Sequence, residues 1–485
     1  MRAYWSKYRD LLTHVIAVLV IAFSTYFANY YNPAAVFWDE NYHVASAQKY
    51  IDGVMYMEPH PPLGKLFIAL GEVILHPNDG LDLAYFSKTD YIKTFPEKYS
   101  FVGVRLFPVL FATFASVLFF LILYRFSRHL WLSFLFSSMY LFANAFILQS
   151  RAAMLESTQM FFVFAAILWF AILFDREVRR HRDYLLLGIL IGLAVAVKLN
   201  GLILILLYPF LYFYKLKAHS WLLHVRDFIL QGLSVSAGIV LVMIAVFYLH
   251  FTLANNLGVK SYRASAEYKT IMRQHGTANP ANYLTMITDN FNYMRDYSKT
   301  VPRYNPCKDV ENGSLAITWP FGNKAIDYRW AKDNGEVRYL YLQSNPVIWF
   351  SVVAAVIIAF AMVISRFVFG MAITDQRLFY LITVFSAMYF SYMFTMFNIE
   401  RVMYLYHYFI ALFFGVFILF LLINYQFKEA IANENKIFFV AVGIFVAEIV
   451  YTYYFFAPFT YYKPLTTMEF YERVWFDFWQ LKPTL

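Results

Sequence analysis

The hydrophobic pattern of this chain is a succession of long apolar runs separated by short basic loops and three long polar segments. A helix needs about 20 apolar residues to cross a hydrocarbon core, with a range of about 17–25. The first run of that length is Leu11 to Tyr31, preceded by Arg2, Lys7 and Arg9. A cleaved signal peptide is the rival reading, but no small-x-small cleavage site follows the run, so a retained helix with a cytoplasmic start is expected. Further spans are predicted over 101–124, 130–148, 154–174, 228–250, 346–365, 378–397, 404–423 and 437–456. Segment 184–214 reads as one long helix or as two short ones broken at Lys198, Asn200 and Gly201. The two-helix reading keeps Lys215, Lys217 and Arg226 on the cytoplasmic side. Leu63–Leu75 is apolar but short, which suits an interfacial or re-entrant helix.

The resulting expectation is an all-α polytopic membrane protein with about 11 transmembrane helices by this length criterion. The loop Asp175–Asp183 carries four arginines and is the strongest positive-inside signal. With the N-terminus inside, the long polar segments 37–99, 252–345 and 457–485 all fall outside. The predicted organisation is an N-terminal transmembrane module (1–250) holding the first outer loop (37–99), a loop domain (251–345), C-terminal transmembrane helices (346–456) and an outer tail (457–485).

Composition agrees: the 485 residues are 61% hydrophobic and only 15% charged, and soluble chains carry about 25% charged residues. The net charge of +9 does not point to nucleic acid, because the basic residues sit in short loops between apolar runs. With one cysteine, Cys307, no intrachain disulfide and no cysteine-based metal cluster can form.

Candidate chemistry concentrates in Phe37–Gly71. Asp39 and Glu40 stand side by side at the exit of the first helix, within an aromatic run. They read either as a solvated loop start or as a partly desolvated carboxylate whose raised pKa makes it a proton acceptor for a hydroxyl nucleophile. His60-Pro61-Pro62-Leu63-Gly64-Lys65 reads either as a plain helix start or as an anion site, with free N–H groups supplemented by His60 and Lys65. Arg105, Arg151, Lys198 and Arg401 lie inside or at the outer ends of spans. Each could snorkel to the interface or serve a negatively charged lipid phosphate. For Arg151 a pair with Glu156 is the alternative. His43, His60 and His407, with Asp39 or Glu156, are conceivable metal ligands. No close metal-ligand spacing is present, so no structural metal is expected, and a loosely bound divalent ion stays open.

These residues carry a resemblance. DENYHVASAQKYIDG (39–53) followed by HPPLGKLFIALGE (60–72) is similar to the amino-terminal signature of the protein O-mannosyltransferase family, membrane glycosyltransferases of the GT-C type. FVGVRLFPVLF, RAAMLESTQMFFV, AVAVKLNGL, ITWPFGNKAIDYRW with SNPVIWF, and ERVMYLYHYFIAL resemble further family segments in the family's order. The resemblance implies a polyprenyl- or dolichyl-phosphate-linked sugar donor, no required cofactor, and mannose transfer to Ser or Thr of an exported polypeptide. It implies Asp39 as catalytic acid residue of the first outer loop with Glu40 beside it, Arg105 as the family's arginine of the second span, and Lys198 and Arg401 as basic positions near the donor phosphate. His407 and Tyr408 match its YHY segment. Glu156 stands where the family pattern has Asp, and the loop 252–345 is too short for the MIR repeats of eukaryotic members. Two rival functions stay open: transfer to a lipid or glycan acceptor, as in aminoarabinose transferases, and transport of a lipid-linked sugar. The expected setting is the plasma membrane with the site facing outward.

Overall fold

The structure is a computed structural model that describes residues 2–214, 216, 220–259, 263–305, 307–308, 312–333 and 336–483. Lys215 and Lys217, invoked for orientation, lie outside the described residues. The chain folds as α1 (Arg2–Ala22, continued by a π turn Phe23–Phe27), α2 (Glu40–Ile51), α3 (Leu63–Leu75) and α4 (Val102–Ser127). Then come α5 (Leu130–Phe136), α6 (Ser138–Leu141), α7 (Asn144–Ser150), α8 (Glu156–Asp175) and α9 (His181–Val197). A 3-10 stretch Leu199–Leu206 leads into α10 (Leu207–Phe213), followed by α11 (Trp221–Leu253), α12 (Ala266–Arg273) and α13 (Tyr283–Thr300). The C-terminal part holds β1 (Ile326–Asp333), β2 (Glu336–Leu342), α14 (Pro346–Phe369) and α15 (Gln376–Phe397). It ends with α16 (Phe409–Gln426), α17 (Lys428–Ala432), α18 (Lys436–Tyr461), β3 (Pro464–Leu465) and α19 (Thr467–Glu472).

Eight described helices are long and apolar enough to cross a membrane, and the pair Leu130–Leu141 and Asn144–Ser150, bent by 65°, makes a ninth. The chain is a multi-pass membrane protein. The larger sequence-based count also includes α9 and the segment Leu199–Phe213, which are shorter helices. Their geometry favours the two-helix reading of 184–214. Lys198 takes an extended conformation (φ −149°, ψ 138°) and ends α9. The chain then doubles back, so that Tyr208 meets Tyr184 with ring centroids 5.8 Å apart. Gly201 allows the reversal, because a Cβ there would lie 2.9 Å from the Ala194 carbonyl oxygen.

Between helices, small residues let backbones touch, as van der Waals packing in lipid favours. Gly188 and Gly192, four residues apart on α9, face α11: a Cβ on Gly188 would collide with the Val235 carbonyl, and one on Gly192 would lie 3.0 Å from Ile239 Cα. Gly71 of α3 and Gly103 of α4 make a second such crossing. The basic loops meet at one end of the bundle, where Arg377 bonds Asp175 at 3.1 Å and the carbonyls of Arg125 and Phe126.

At the other end the polar segment adds a β-hairpin, which the hydrophobic pattern did not reveal. The sheet runs β1-β2-β3, antiparallel, and its third strand comes from the tail. The loop and the tail also share an apolar cluster containing Val337, Tyr339, Phe470 and Trp479.

Gly188→Leu should disrupt the α9–α11 crossing, an overpacking cost of about 1–3 kcal/mol. Gly443→Ala should be neutral or mildly stabilising, because nothing lies within 4 Å of its added Cβ. Thermal melting in detergent distinguishes the two; equal melting temperatures would contradict the crossing.

Candidate active site

The site begins where the first helix ends. Glu40 and Arg105 are both fully buried. The Arg105 guanidinium uses all its N–H donors: Nε and Nη2 bond the two Glu40 carboxylate oxygens at 2.7 Å each, and the rest reach the carbonyls of Tyr31, Pro33 and Ala35. Glu40 also accepts the backbone N–H groups of Ala153 (2.8 Å) and Phe37 (3.1 Å). Phe37 and Phe101 cover the guanidinium at 4.9 and 4.3 Å. Two expectations are thereby corrected. Arg105 has no donor left for a phosphate, and Glu40 has no lone pair left for catalysis; together they anchor the loop between α1 and α2.

Arg151 is corrected in the same way. It does not pair with Glu156. Its guanidinium bonds the carbonyls of Tyr26, Ala28 and Asn29 and lies 4.9 Å from the centre of the Tyr461 ring. It therefore caps the end of the first helix.

Asp39 is held differently. It occupies the N-cap of α2, yet its carboxylate makes no capping hydrogen bond. Its one described side-chain contact is the Tyr406 hydroxyl, which donates to Oδ2 at 3.4 Å. Burial and the neighbouring Glu156 carboxylate push its carboxyl up to about 6, against the pull of Lys198 and Lys65. A carboxylate so placed is free to take a proton near neutral pH.

The cations around Asp39 fall into two groups. Lys65 is buried and bonds Glu58 Oε1 at 2.6 Å, so it is already neutralised. Lys198 bonds Glu156 Oε1 at 2.7 Å and lies over the Tyr406 ring at 5.5 Å. The other Glu156 oxygen accepts from Gln149 Nε2 at 2.8 Å. Arg401, by contrast, has no hydrogen-bond or ion-pair partner for its guanidinium among the described residues, while its backbone bridges to Arg303.

His60 faces Lys198, Lys65, His43 and Arg401; burial and those charges push its imidazole well down. His43 bonds the Ala153 carbonyl through Nδ1 at 2.7 Å, and burial followed by Lys65 lowers it to about 3. Both rings are neutral at physiological pH; the single N–H of His43 is spent on Ala153, so of the two only His60 has an N–H to offer an anion, and neither adds charge. His407 stacks on Tyr406 at 4.6 Å and uses Nδ1 on the Tyr404 backbone. Tyr408 is turned away: it is fully buried and its hydroxyl meets that of Tyr389 at 3.0 Å. A ligand role for Tyr408 is thus corrected. Among the described residues no group of three or more His, Cys, Asp or Glu side chains is placed to hold a metal ion.

Sequence reasoning missed Tyr406, Gln149, Glu58 and Tyr328. Tyr406 sits inside the YHY segment and Glu58 two residues before His60, so both were adjacent to singled-out positions. Tyr328 lies within the segment ITWPFGNKAIDYRW, which as a whole carries the resemblance without marking this residue, and Gln149 carries no local signal.

Removing the guanidinium in Arg105→Ala should leave Glu40 buried and unpaired, a loss of about 3–5 kcal/mol. Arg105→Lys should recover little, because an ammonium's three donors cannot reach those oxygens. Melting temperatures of the variants in detergent check this; a stable Arg105→Ala protein would contradict the anchoring role.

A family model of dolichyl-phosphate-mannose-protein mannosyltransferase matches residues 16–255, and one of the C-terminal four TMM region of protein-O-mannosyltransferase matches 292–479. Dolichyl-phosphate-mannose–protein mannosyltransferase 1 of Candida albicans is 30% identical over 252 residues, 50% of this chain and 28% of that relative. Protein O-mannosyl-transferase 2 of Danio rerio is 26% identical over 204 residues, 39% of this chain and 25% of that relative. Among solved structures, the Saccharomyces cerevisiae Pmt1-Pmt2 complex bound to the sugar donor superposes with a TM-score of 0.80 at 15% identity, covering 97% of this chain and 92% of that one. The archaeal oligosaccharyltransferase AglB of Archaeoglobus fulgidus gives a TM-score of 0.51 at 14% identity, covering 99% and 61%. Both are similar in fold. With the two family models together spanning most of its length, the chain belongs to the protein O-mannosyltransferase family.

Proposed function

We propose that this protein transfers mannose from a polyprenyl-phosphate donor to a Ser or Thr hydroxyl of an exported polypeptide, at the plasma membrane, on the outward side. The observation that carries the reading is Asp39: a carboxylate at a helix N-cap that caps nothing, beside the Lys198–Glu156 pair. In this mechanism the acceptor hydroxyl oxygen attacks the anomeric carbon. The bond from that carbon to the donor phosphate oxygen breaks, and its electron pair leaves with the phosphate. The hydroxyl proton passes to Asp39. A single displacement inverts the anomeric centre. Arg401 and the remaining donors of Lys198 offset the charge that grows on the departing phosphate, and neutral His60 adds an N–H. The apolar helices accommodate the lipid tail.

A protonated Asp39 cannot accept the proton, so the transfer rate should fall as pH drops through about 6, its raised value. Asp39→Asn should lower the rate by about 10²–10⁴ with little change in melting temperature, because only one 3.4 Å contact is altered. Transfer of labelled mannose from polyprenyl-phosphate mannose to a Ser/Thr-rich peptide measures both. Near-normal turnover by Asp39→Asn would eliminate Asp39 as the base. Label appearing in lipid or glycan instead of peptide would reassign the acceptor.

A further inference from the structure

The β-hairpin of the polar segment reaches into the site at one place. The register of β1 against β2 shifts between Asp327 and Arg329, so Tyr328 is left without a cross-strand partner. Such bulges redirect a side chain, and they are common beside active sites. Here the redirected ring lies on Trp38, with centroids 4.9 Å apart and planes within 17°, and near Phe37 at 6.0 Å. The next residue of the bulge, Arg329, donates from Nη1 to the Val36 carbonyl at 3.2 Å. The bulge is thus fastened twice to the loop that carries Asp39.

The other end of Tyr328 points toward the donor-side pair. Its hydroxyl donates to Gln149 Oε1 at 2.5 Å. Gln149 Nε2 in turn donates to Glu156 Oε2 at 2.8 Å, and Glu156 Oε1 accepts from Lys198. Trp38 itself has φ 51°, a left-handed backbone that a bulky residue adopts only when its surroundings hold it there. The stacked Tyr328 and the edge-on Tyr404, at 5.2 Å and 88°, supply that hold.

We infer that Tyr328 is a positioning residue: its ring fixes Trp38, and so the direction of Asp39, while its hydroxyl fixes Gln149, and so the Glu156–Lys198 pair. One side chain of the hairpin thereby keeps the base and the donor-side cation in register. The inference rests on the transfer reaction proposed above. The groups that face Asp39 are Glu156 from α8, Lys198 at the end of α9, Lys65 from α3, Tyr406 ahead of α16, Tyr42 from α2 and Tyr297 from α13. Tyr328 completes this shell.

The two halves of the role separate by substitution. Tyr328→Phe keeps the ring and removes one hydrogen bond, so the donor KM should rise about fivefold with kcat little changed. Tyr328→Ala also frees Trp38 and lets more water reach the half-buried Asp39. Its kcat should fall about tenfold or more, and the acidic limb of its pH profile should move to lower pH, because a hydrated carboxyl returns toward its ordinary value. A purely structural tyrosine would lower the melting temperature and the active fraction, leaving donor KM and acidic limb where they are in the wild type. The experiment is mannose transfer by the detergent-solubilised full chain, with polyprenyl-phosphate mannose varied at several pH values. An unchanged donor KM in Tyr328→Phe with an unmoved limb in Tyr328→Ala overturns the inference while the transfer reading stands. If Tyr328→Ala does not fold, Tyr328→Phe alone decides, and a wild-type donor KM overturns it. A wild-type chain that moves no mannose defeats the transfer reading, and the inference falls with it.

Discussion

The buried pair of Glu40 and Arg105 is the interaction on which the rest of the site depends. Two ions removed from water cost several kcal/mol each, and their attraction compensates only when every remaining donor and acceptor is satisfied. Here each is: the guanidinium fills five acceptors and the carboxylate receives four hydrogen bonds. Because the carbonyls of Tyr31, Pro33 and Ala35 share this arginine, the path of the chain after the first helix is set residue by residue. Arg151 works on the turn before it. It has no carboxylate partner among the described residues; its charge faces the carbonyls of Tyr26, Ala28 and Asn29, the negative end of the first helix. The anchoring falls on Glu40, so its neighbour Asp39 is free of structural duty.

That division also explains the electrostatics. Lys65 is matched by Glu58 and Lys198 by Glu156, while His43 and His60 are held neutral. Arg401 is a cation at this end whose guanidinium has no acceptor among the described residues. A site built this way presents limited net positive charge of its own. Asp39 therefore keeps a carboxyl raised by burial and by Glu156, not one drawn down by an excess of cations. The base role proposed for Asp39 needs that balance.

Much of the fold was legible because the bilayer demands long apolar runs, and the break at Lys198 was legible because Lys, Asn and Gly interrupt one. The acidic doublet was legible as a place, but its two members were not separable. Adjacent residues at a helix start point in different directions, and only the tertiary position of Arg105 decides which carboxylate is occupied. Arg105 and Arg151 were misread for the same reason. An intramembrane arginine reads alike whether it meets a lipid phosphate or a row of backbone carbonyls. The β-hairpin escaped notice because polar residues interrupt its strands, and its third strand lies more than a hundred residues downstream, in the tail. Tyr328 was legible only as part of a quoted segment and Gln149 not at all, since their importance lies in pairing with each other across 179 residues of chain.

The break after α9 shows how the membrane core and the site are one construction. An interrupted helix in a low-dielectric setting leaves backbone groups that must find partners. Gln159 Nε2 supplies them, bonding the carbonyls of Ala194 (3.3 Å) and Lys198 (2.9 Å) and the side chain of Asn200 (2.8 Å). Asn200 passes the chain of bonds to the Tyr392 hydroxyl at 3.0 Å. Gln159 lies three residues beyond Glu156 on α8, so the two project from the same face of one helix. That face holds the backbone of Lys198 with an amide and its ammonium with a carboxylate. The position of a cation essential to the proposed chemistry is therefore fixed by the same turn of helix that makes the break tolerable in the membrane.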